Sequence, residues 1–284
     1  MRSSLRPSVC PRVPAEALAL ALAAAFLHAG WNVLLRGSED VAARTVAVLC
    51  LSVVLFAPVA AATWSVHARA LPYIAASAVL EAVYFVLLTA AYRRRELSVV
   101  YPIARGSAPV LVLIGTAVVL SRAVSGPQVA GVLLVACGVL LVRGLRRGVE
   151  GIGIGLAIGV MIASYTLVDK EGLHHASPIP YLELVLLPIA LVGLPAYVWR
   201  CGFHPFTSQF TWSTLGAAVG SFGAYVLFLF ALRLTSAPGV AAVRETSVVI
   251  AALLAAVFLR ERVTWWRLLG AAAVAGGVAV LAAA

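Results

Sequence analysis

The chain is built from long apolar runs separated by short polar segments. Ten runs come close to the roughly 20 residues that a membrane-spanning helix needs. Hydrophobic and polar positions do not alternate within them, as they would in the ~10-residue strands of a membrane barrel. The pattern therefore predicts an all-α integral membrane protein. Its ten predicted transmembrane helices are Ala17–Leu35, Thr45–Trp64, Leu71–Tyr92, Ser98–Leu120, Gly126–Val142, Gly151–Val168, Ile179–Trp199, Trp212–Leu232, Ser236–Phe258 and Trp265–Leu281.

Composition agrees with a membrane location. Hydrophobic residues make up 63% of the 284 positions and charged residues only 11%, whereas soluble domains carry roughly 25% charged residues. A soluble fold would have too few polar side chains to cover its surface. Arg2, Arg6 and Arg12 before the first run resemble a signal peptide. Because that run continues to Leu35, the sequence favours a retained first helix.

The net charge of +10 comes largely from arginines in the short segments between apolar runs. That placement indicates contact with lipid headgroups and a role in membrane topology, so no nucleic-acid partner is predicted. The four cysteines form no CxxC pair and no cluster with histidine. Neither a metal site, nor a disulfide framework, nor a cofactor is predicted.

The two halves of the chain show internal similarity. Ile103-Ala104-Arg105-Gly106-Ser107 aligns with Ala242-Val243-Arg244-Glu245-Thr246, and in the same register Ser121-Arg122 falls on Arg260-Glu261. An odd number of helices in each copy makes the second copy start on the opposite side of the membrane. Inverted repeats of this kind are common in secondary transporters.

This similarity predicts the domain organisation. The predicted parts are an N-terminal tail at 1–16, a first five-helix repeat at 17–142, a linker at 143–150 and a second five-helix repeat at 151–284.

Five short motifs, spread over nearly the whole chain, carry a family resemblance. They are His28-Ala29-Gly30-Trp31-Asn32, Tyr101-Pro102-Ile103-Ala104-Arg105, Ala231-Leu232-Arg233-Leu234-Thr235-Ser236-Ala237, Leu259-Arg260-Glu261-Arg262, and Leu269-Gly270 through Gly276-Gly277. With them the chain resembles the drug/metabolite transporter superfamily, in its ten-helix EamA-domain branch. The resemblance implies a secondary transporter whose central cavity lies between the repeats. The first repeat departs from the family pattern at Ser121-Arg122, where a Glu-Arg pair is expected.

Arg105 and Arg244 are the sharpest functional candidates, because a charge inside a span is costly and is a functional candidate by default. At 1.5 Å per residue they lie ~10 Å and ~12 Å deep from opposite faces. In a ~30 Å hydrocarbon core they would therefore flank the midplane. A guanidinium group holds carboxylate or phosphate with two hydrogen bonds. One hypothesis is that the pair grips an anionic or zwitterionic substrate; the other is that each arginine snorkels or pairs with a glutamate.

Three glutamates complete the charged set inside the spans. Glu81 is ~15 Å deep in the third helix, where it could carry a proton during transport or neutralise an arginine. Glu245 points ~100° away from Arg244 on the helix, so the two need different partners. Glu183 lies near the start of its span and is interpreted as interfacial.

Aromatic and polar residues at helical spacing suggest a binding pocket. His28, Trp31 and Asn32 share one face of the first helix, and Tyr165 is the matching position in the second repeat. Tyr84 and Tyr225 form a second pair at similar repeat positions. These residues are candidates for substrate contact, with packing as the alternative.

Charge counting and family resemblance disagree on orientation. The side holding the N-terminus carries seven Lys and Arg residues and the other side twelve, which favours the second side as cytoplasmic. The resemblance implies that both termini are cytoplasmic, and the three arginines before the first helix support it. The prediction is a multi-pass protein of the cytoplasmic membrane with its termini inside.

The sequence therefore predicts a transporter, most simply an exporter, that moves a small polar or anionic metabolite by alternating access. A flippase for lipid-linked substrates and a membrane scaffold without transport are the alternatives. An enzyme is not predicted, because the spans contain no nucleophile–base set and no metal-ligand motif. The motifs specify neither the substrate nor the oligomeric state.

Overall fold

All ten apolar runs are helical in the computed structural model, which describes residues 13–35, 40–93, 97–143, 151–258 and 264–283. The tail at 1–12, most of the linker and the Leu259–Arg262 motif lie outside the described residues. The helices are α1 (Ala15–Leu35), α2 (Val41–Ala62), α3 (Leu71–Arg93), α4 (Leu97–Val118), α5 (Gly126–Arg143), α6 (Ile152–Gly172), α7 (Pro178–Cys201), α8 (His204–Thr207), α9 (Trp212–Leu234), α10 (Ala237–Arg244), α11 (Thr246–Phe258) and α12 (Trp265–Ala283).

Within the described residues, 9 helices are long and apolar enough to cross a membrane, and Gly126–Val142 in α5 is a shorter apolar helix. The ninth predicted span is broken: α10 ends at Arg244 and α11 begins at Thr246. The predicted all-α membrane fold is therefore confirmed, with one discontinuous helix that hydropathy does not show.

Glycines let α5 and α12 pack backbone to backbone. A Cβ atom on Gly138 would lie 2.7 Å from the carbonyl oxygen of Gly270, and one on Gly277 would lie 2.7 Å from that of Gly131. Because Gly131 meets the later glycine of α12 and Gly138 the earlier one, the two helices run antiparallel. Close approach at small residues is how helices associate in lipid.

The same four glycines relate the two halves. Gly131 corresponds to Gly270, and Gly138 to Gly277, by the separation along the chain that relates Arg105 to Arg244. Gly131 therefore contacts the equivalent of Gly138, and Gly138 contacts the equivalent of Gly131. Two copies of one helix pack in this way when a two-fold axis relates them. This geometry is the one expected of inverted repeats. The exact bounds of the repeats stay a prediction.

The other contacts between the two halves are reciprocal in the same way. α1 packs against α9, α10 and α11, while α6 packs against the equivalent α3 and α4 of the first half. The helices carrying the two arginines are the most enclosed: an 18-residue stretch within Val99–Val118 and the stretch Ala237–Leu254 are each 61% buried, against 22% for such a stretch within Trp265–Ala283. The fourth and ninth spans therefore form the centre of the bundle.

Polar contacts define the helix ends. The side chain of Asp40 caps α2 by accepting from the Ala43 amide at 2.9 Å, which is a common way to satisfy the first turn. At the other end of the bundle, Val66 and Ala176 form an antiparallel bridge between the α2–α3 and α6–α7 connections. These two connections therefore lie on the same side, as the predicted topology requires.

The end of α6 differs from the prediction. The sequence placed the end of this span at Val168 because three charged residues follow, but α6 continues to Gly172. The Lys170 ammonium donates to the carbonyl oxygens of Leu232 and Thr235, at 2.8 and 3.0 Å. These carbonyls belong to the last turn of α9 and to the residue that follows it. Carbonyls at a helix end lack partners within the helix, so the lysine caps a neighbouring helix.

Candidate functional site

Arg105 forms a buried ion pair that joins the two halves. Its guanidinium lies 3.1 Å from the Glu245 carboxylate, and both side chains are less than a tenth exposed. The second nitrogen of the guanidinium lies 2.6 Å from Nε2 of His28. Since a guanidinium can only donate hydrogen bonds, this nitrogen of His28 is the acceptor and carries no proton. His28 therefore fixes the arginine, and in this state its Nε2 is unavailable as a proton donor.

Glu245 occupies the break between α10 and α11. Its amide donates to the carbonyl oxygen of Ala242, three residues earlier, at 3.0 Å, and its carbonyl accepts from Val248, three residues later, at 2.9 Å. Short three-residue bonding in the middle of a helix often marks a functional hinge. As expected from their positions on the helix, Glu245 and Arg244 have different partners.

Arg244 lies against aromatic rings instead of a carboxylate. The carbon of its guanidinium is 4.4 Å from the centre of the Phe228 ring and 5.3 Å from that of Tyr225. The described residues place no carboxylate oxygen within 4.0 Å of its nitrogens. Cation–π contact stabilises a guanidinium but leaves its five hydrogen-bond donors available.

A small cavity, with room for about one water molecule, lies beside Arg244. It sits where the fourth, sixth and ninth spans meet. The residues lining it are Ala108, Pro109, Ile162, Thr166, Phe228, Ala241, Arg244 and Glu245.

Three predicted tyrosines come together next to this cavity. The ring of Tyr165 lies 6.2 Å from that of Tyr84 and 6.3 Å from that of Tyr225. Residues that the repeat alignment placed in different helices therefore form one aromatic cluster. The cluster is adjacent to Arg244, because the Tyr225 ring also contacts the guanidinium group of that residue.

The predicted face of α1 is only partly directed at the site. His28 reaches Arg105, and the Trp31 ring stacks edge-on against His28 with centres 5.3 Å apart. The Asn32 amide instead donates to the carbonyl oxygen of His28, in its own helix, at 2.6 Å. Thr166 makes the matching bond to Ile162 at 2.7 Å in the second half. The two equivalent residues therefore bond within their own helices in this state.

Glu81 is buried, at 4% exposed, and its Oε1 has no hydrogen-bond partner. Glu81 forms no ion pair within 4.0 Å with Arg105 or Arg244. Glu183, interpreted as interfacial from its position in the sequence, is 7% exposed. Packing of α7 against α2, α3 and α9 encloses it despite its place near the helix start.

Sequence analysis missed Asp169, which is 0% exposed. Three hydroxyl groups from three different helices donate to its carboxylate: Ser77 at 2.6 Å, Tyr225 at 2.8 Å and Tyr181 at 3.0 Å. In the sequence it begins the charged triplet Asp169-Lys170-Glu171 and was assigned to a loop. The only available signal was that a helix of ordinary spanning length can extend past Val168.

Comparison with known proteins agrees with this architecture. Residues 149–283 match the EamA-like transporter family. The chain therefore carries an EamA-like transporter domain. This confirms the resemblance to the drug/metabolite transporter superfamily, and it indicates a transporter rather than an enzyme. The matched segment covers the predicted second repeat.

One solved crystal structure, described only as that of a protein, resembles this chain along most of its length. The TM-score is 0.77 at 14% sequence identity, over 93% of this chain and 95% of the other. Similarity at that identity establishes the fold alone. No curated protein matches the sequence.

Proposed function

We propose that this EamA-type transporter exports a small polar or anionic metabolite across the cytoplasmic membrane by alternating access, and that Arg244 holds the substrate's negative charge. The observation that carries the proposal is the contrast in partners at the centre of the bundle. Arg105 has a carboxylate at 3.1 Å, whereas Arg244 has aromatic rings and a cavity. A buried guanidinium keeps its charge, so a substrate carboxylate or phosphate is the natural counter-charge.

The surroundings of Arg244 support a substrate site. Tyr165 and Tyr225 provide flat apolar surface with hydroxyl groups, which is typical of small-molecule pockets. The helix break at Glu245 matches the discontinuous helices on which many secondary transporters build their binding sites.

Alternating access requires the two halves to move against each other. The Arg105–Glu245 pair links α4 of the first half to the break in the second. The cavity is too small for a metabolite, so binding must be preceded by opening between the halves. In this interpretation the ion pair is a contact of the closed state, and the break is the hinge.

The test compares two conservative variants in purified, monodisperse protein reconstituted into liposomes. A panel of labelled carboxylates and phosphate esters first identifies a transported anion. Arg244→Lys keeps the charge but loses the planar fork of donors. A charge-assisted hydrogen bond contributes about 1.5–3 kcal/mol, so affinity should fall roughly ten- to hundredfold.

Arg105→Lys is the matched control, since it keeps the charge opposite Glu245 and should bind within about threefold of wild type, a difference of under 1 kcal/mol. If Arg244→Lys binds the anion as tightly as wild type, the anion site is not at Arg244. If both variants lose affinity equally, the two arginines grip the substrate together. Transport of neutral or cationic compounds alone would contradict the anionic-substrate proposal.

Orientation has a separate test, based on reporters that are active on only one side of the membrane. A fusion after Ala284 should report the cytoplasm, because the family resemblance implies cytoplasmic termini. A fusion at Gly148, in the linker between the halves, should report the opposite side. The same side at both positions would contradict the five-plus-five inverted repeat, and a periplasmic C-terminus would show that the arginine-rich loops face the cytoplasm.

A further inference from the structure

Asp169 joins helices from both halves of the chain. Its Oδ1 atom accepts from the Ser77 hydroxyl at 2.6 Å and from the Tyr181 hydroxyl at 3.0 Å, and its Oδ2 atom accepts from the Tyr225 hydroxyl at 2.8 Å. Tyr181 on α7 and Tyr225 on α9 belong to the second half, as Asp169 on α6 does. Ser77 on α3 is the donor from the first half. One of the three bonds therefore crosses between the halves.

Lys170 adds a further contact within the second half. Its ammonium group donates to two carbonyl oxygens at the end of α9. Together with the two tyrosine bonds, this contact holds α6, α7 and α9 to one another. The second half is thus fixed as a unit around Asp169, and a movement that separates the halves at this point must break the bond from Ser77.

The Ser77–Asp169 bond lies near the end of the bundle that holds the Val66–Ala176 bridge, which we call the bridge end. Asp169 is three residues before the end of α6, ~5 Å from it at 1.5 Å per residue. Ser77 is six residues into α3 from the same side, and Thr166, which lines the cavity, is one turn deeper than Asp169. Both bonded side chains are 0% exposed. The bond therefore lies between the bridge end and the cavity, where the bundle is closed.

This bond should be stronger than other polar contacts between the halves at the bridge end. The Arg122–Glu171 ion pair is 2.9 Å long, but its side chains are 45% and 24% exposed, and such surface pairs contribute little. The Gln128 side chain donates to the Ser236 hydroxyl at 2.7 Å, and both groups are neutral. A hydroxyl bonded to a carboxylate ion is typically about 2.5–2.7 Å away, and such bonds are roughly twice as strong as neutral ones. The bond to Asp169 fits that description and is fully buried.

The repeat does not reproduce this bond at the opposite end of the bundle. In the register that matches the clustered tyrosines of α3 and α9, the counterpart of Ser77 is Ala218. In the register that matches Asn32 with its equivalent on α6, the counterpart of Asp169 is Leu35. Alanine and leucine side chains form no hydrogen bonds, so the opposite end must close without this contact. The asymmetry favours the state that is closed at the bridge end.

We propose that the Ser77–Asp169 hydrogen bond is a latch that holds the bridge end closed and makes this state the preferred one. The start of α1 and the end of α12 lie at the bridge end, because successive spans alternate in direction. This is the cytoplasmic end in the proposed orientation. The transporter then rests closed to the cytoplasm, and loading a substrate for export has to break the latch. This inference rests on the alternating access of the proposed function, but not on the anion site.

The test measures access to the cavity from each side of the membrane. The native cysteines are replaced by alanine, and Thr166→Cys places one thiol at the cavity. A charged thiol reagent that cannot cross membranes is applied to intact cells and to inverted membrane vesicles, so that each side is probed separately. In this parent protein the thiol should react slowly, because Thr166 is 1% exposed.

Ser77→Ala removes the bond between the halves and leaves Asp169 bonded to both tyrosines. Loss of a hydrogen bond to a charged group should raise the open fraction, and with it the labelling rate, roughly ten- to hundredfold. The increase should occur only from the side that holds the termini, because the opposite end of the bundle is not altered.

Tyr181→Phe is the matched control. It removes the other hydroxyl that donates to Oδ1 of Asp169, but this bond lies within the second half. Its labelling rates from both sides should therefore stay within about threefold of the parent, a difference of under 1 kcal/mol.

Three outcomes would overturn the inference. An unchanged rate in Ser77→Ala would show that the bond does not hold the bridge end closed. Equal increases from the two sides would show a general loosening of the bundle. An equal increase in Tyr181→Phe would show that any lost hydroxyl at Asp169 has the same effect.

The labelling needs no substrate, so its result is independent of the transport assay. Opening from one side without anion transport would contradict only the proposed substrate. Anion transport with unchanged labelling in Ser77→Ala would contradict only the latch.

Discussion

Arg105 and Arg244 occupy matching positions in the two halves, yet their environments differ. Arg105 is neutralised by Glu245 at 3.1 Å and held by His28, while Arg244 lies 4.4 Å from the centre of the Phe228 ring. The difference comes from the residue that follows each arginine. In the second half it is Glu245; in the first half it is Gly106, where a Cβ would lie 3.0 Å from Leu140. The Glu245 carboxylate of the second half thus neutralises Arg105 of the first half.

The comparison teaches that an inverted repeat need not give a symmetric site. Both halves carry a buried arginine at this position, and the residue that follows it differs: Gly106 in the first half and Glu245 in the second. One becomes part of the contact between the halves. The other is left next to a cavity, where binding an anion would be most favourable.

The largest expected effect comes from breaking the Arg105–Glu245 ion pair. Arg105→Gln or Glu245→Gln leaves one buried charge without its partner, which costs about 3–5 kcal/mol. The double variant removes both charges and should recover most of that loss. Arg244→Gln should cost less than either single variant. The measurement is the fraction of monodisperse protein remaining after heating. Equal losses at Arg105 and Arg244 would show that the two arginines are not distinguished in this way.

An intermediate effect is expected at the contact between α5 and α12, where the two halves have equivalent glycines. Gly138→Ala and Gly277→Ala each place a methyl group against backbone of the opposite helix, at 2.7 Å in both cases. Overpacking of this kind costs about 1–3 kcal/mol, and the two losses of heat resistance should be equal. Gly276→Ala is the matched control, because a Cβ there meets nothing within 4 Å. Unequal losses at Gly138 and Gly277 would contradict the two-fold relation of α5 and α12.

The smallest effect is expected at Asn32 and Thr166. Both side chains bond a carbonyl of their own helix, so Asn32→Ala and Thr166→Ala should each cost about 0.5–1 kcal/mol of stability. Neither should weaken the binding of a transported anion. If Asn32→Ala alone lowers affinity by tenfold or more, Asn32 contacts the substrate in another conformation, as the sequence analysis expected.

Much of the fold could be predicted from local sequence. The ten spans follow from the length of the apolar runs, because the cost of placing polar groups in lipid depends on composition within one segment. Arg105, Arg244 and Glu81 were found for the same reason, since charges inside apolar runs are rare. The break at Glu245 was not, because continuous hydropathy does not show which carbonyls lose their partners.

The sequence by itself determined that this chain is a helical membrane protein of two related halves with buried arginines at matching positions. Tertiary structure decided which groups meet. Asp169 lies in a charged triplet that looks like a loop, and only the packing of α3, α7 and α9 around it supplies its three hydroxyl donors. Glu245 was known to point away from Arg244, but its partner depends on how α4 is rotated against the helix break. Contacts across helices arise from packing angles and distances that no single segment encodes, so the division of roles between the two arginines appears only in the assembled bundle.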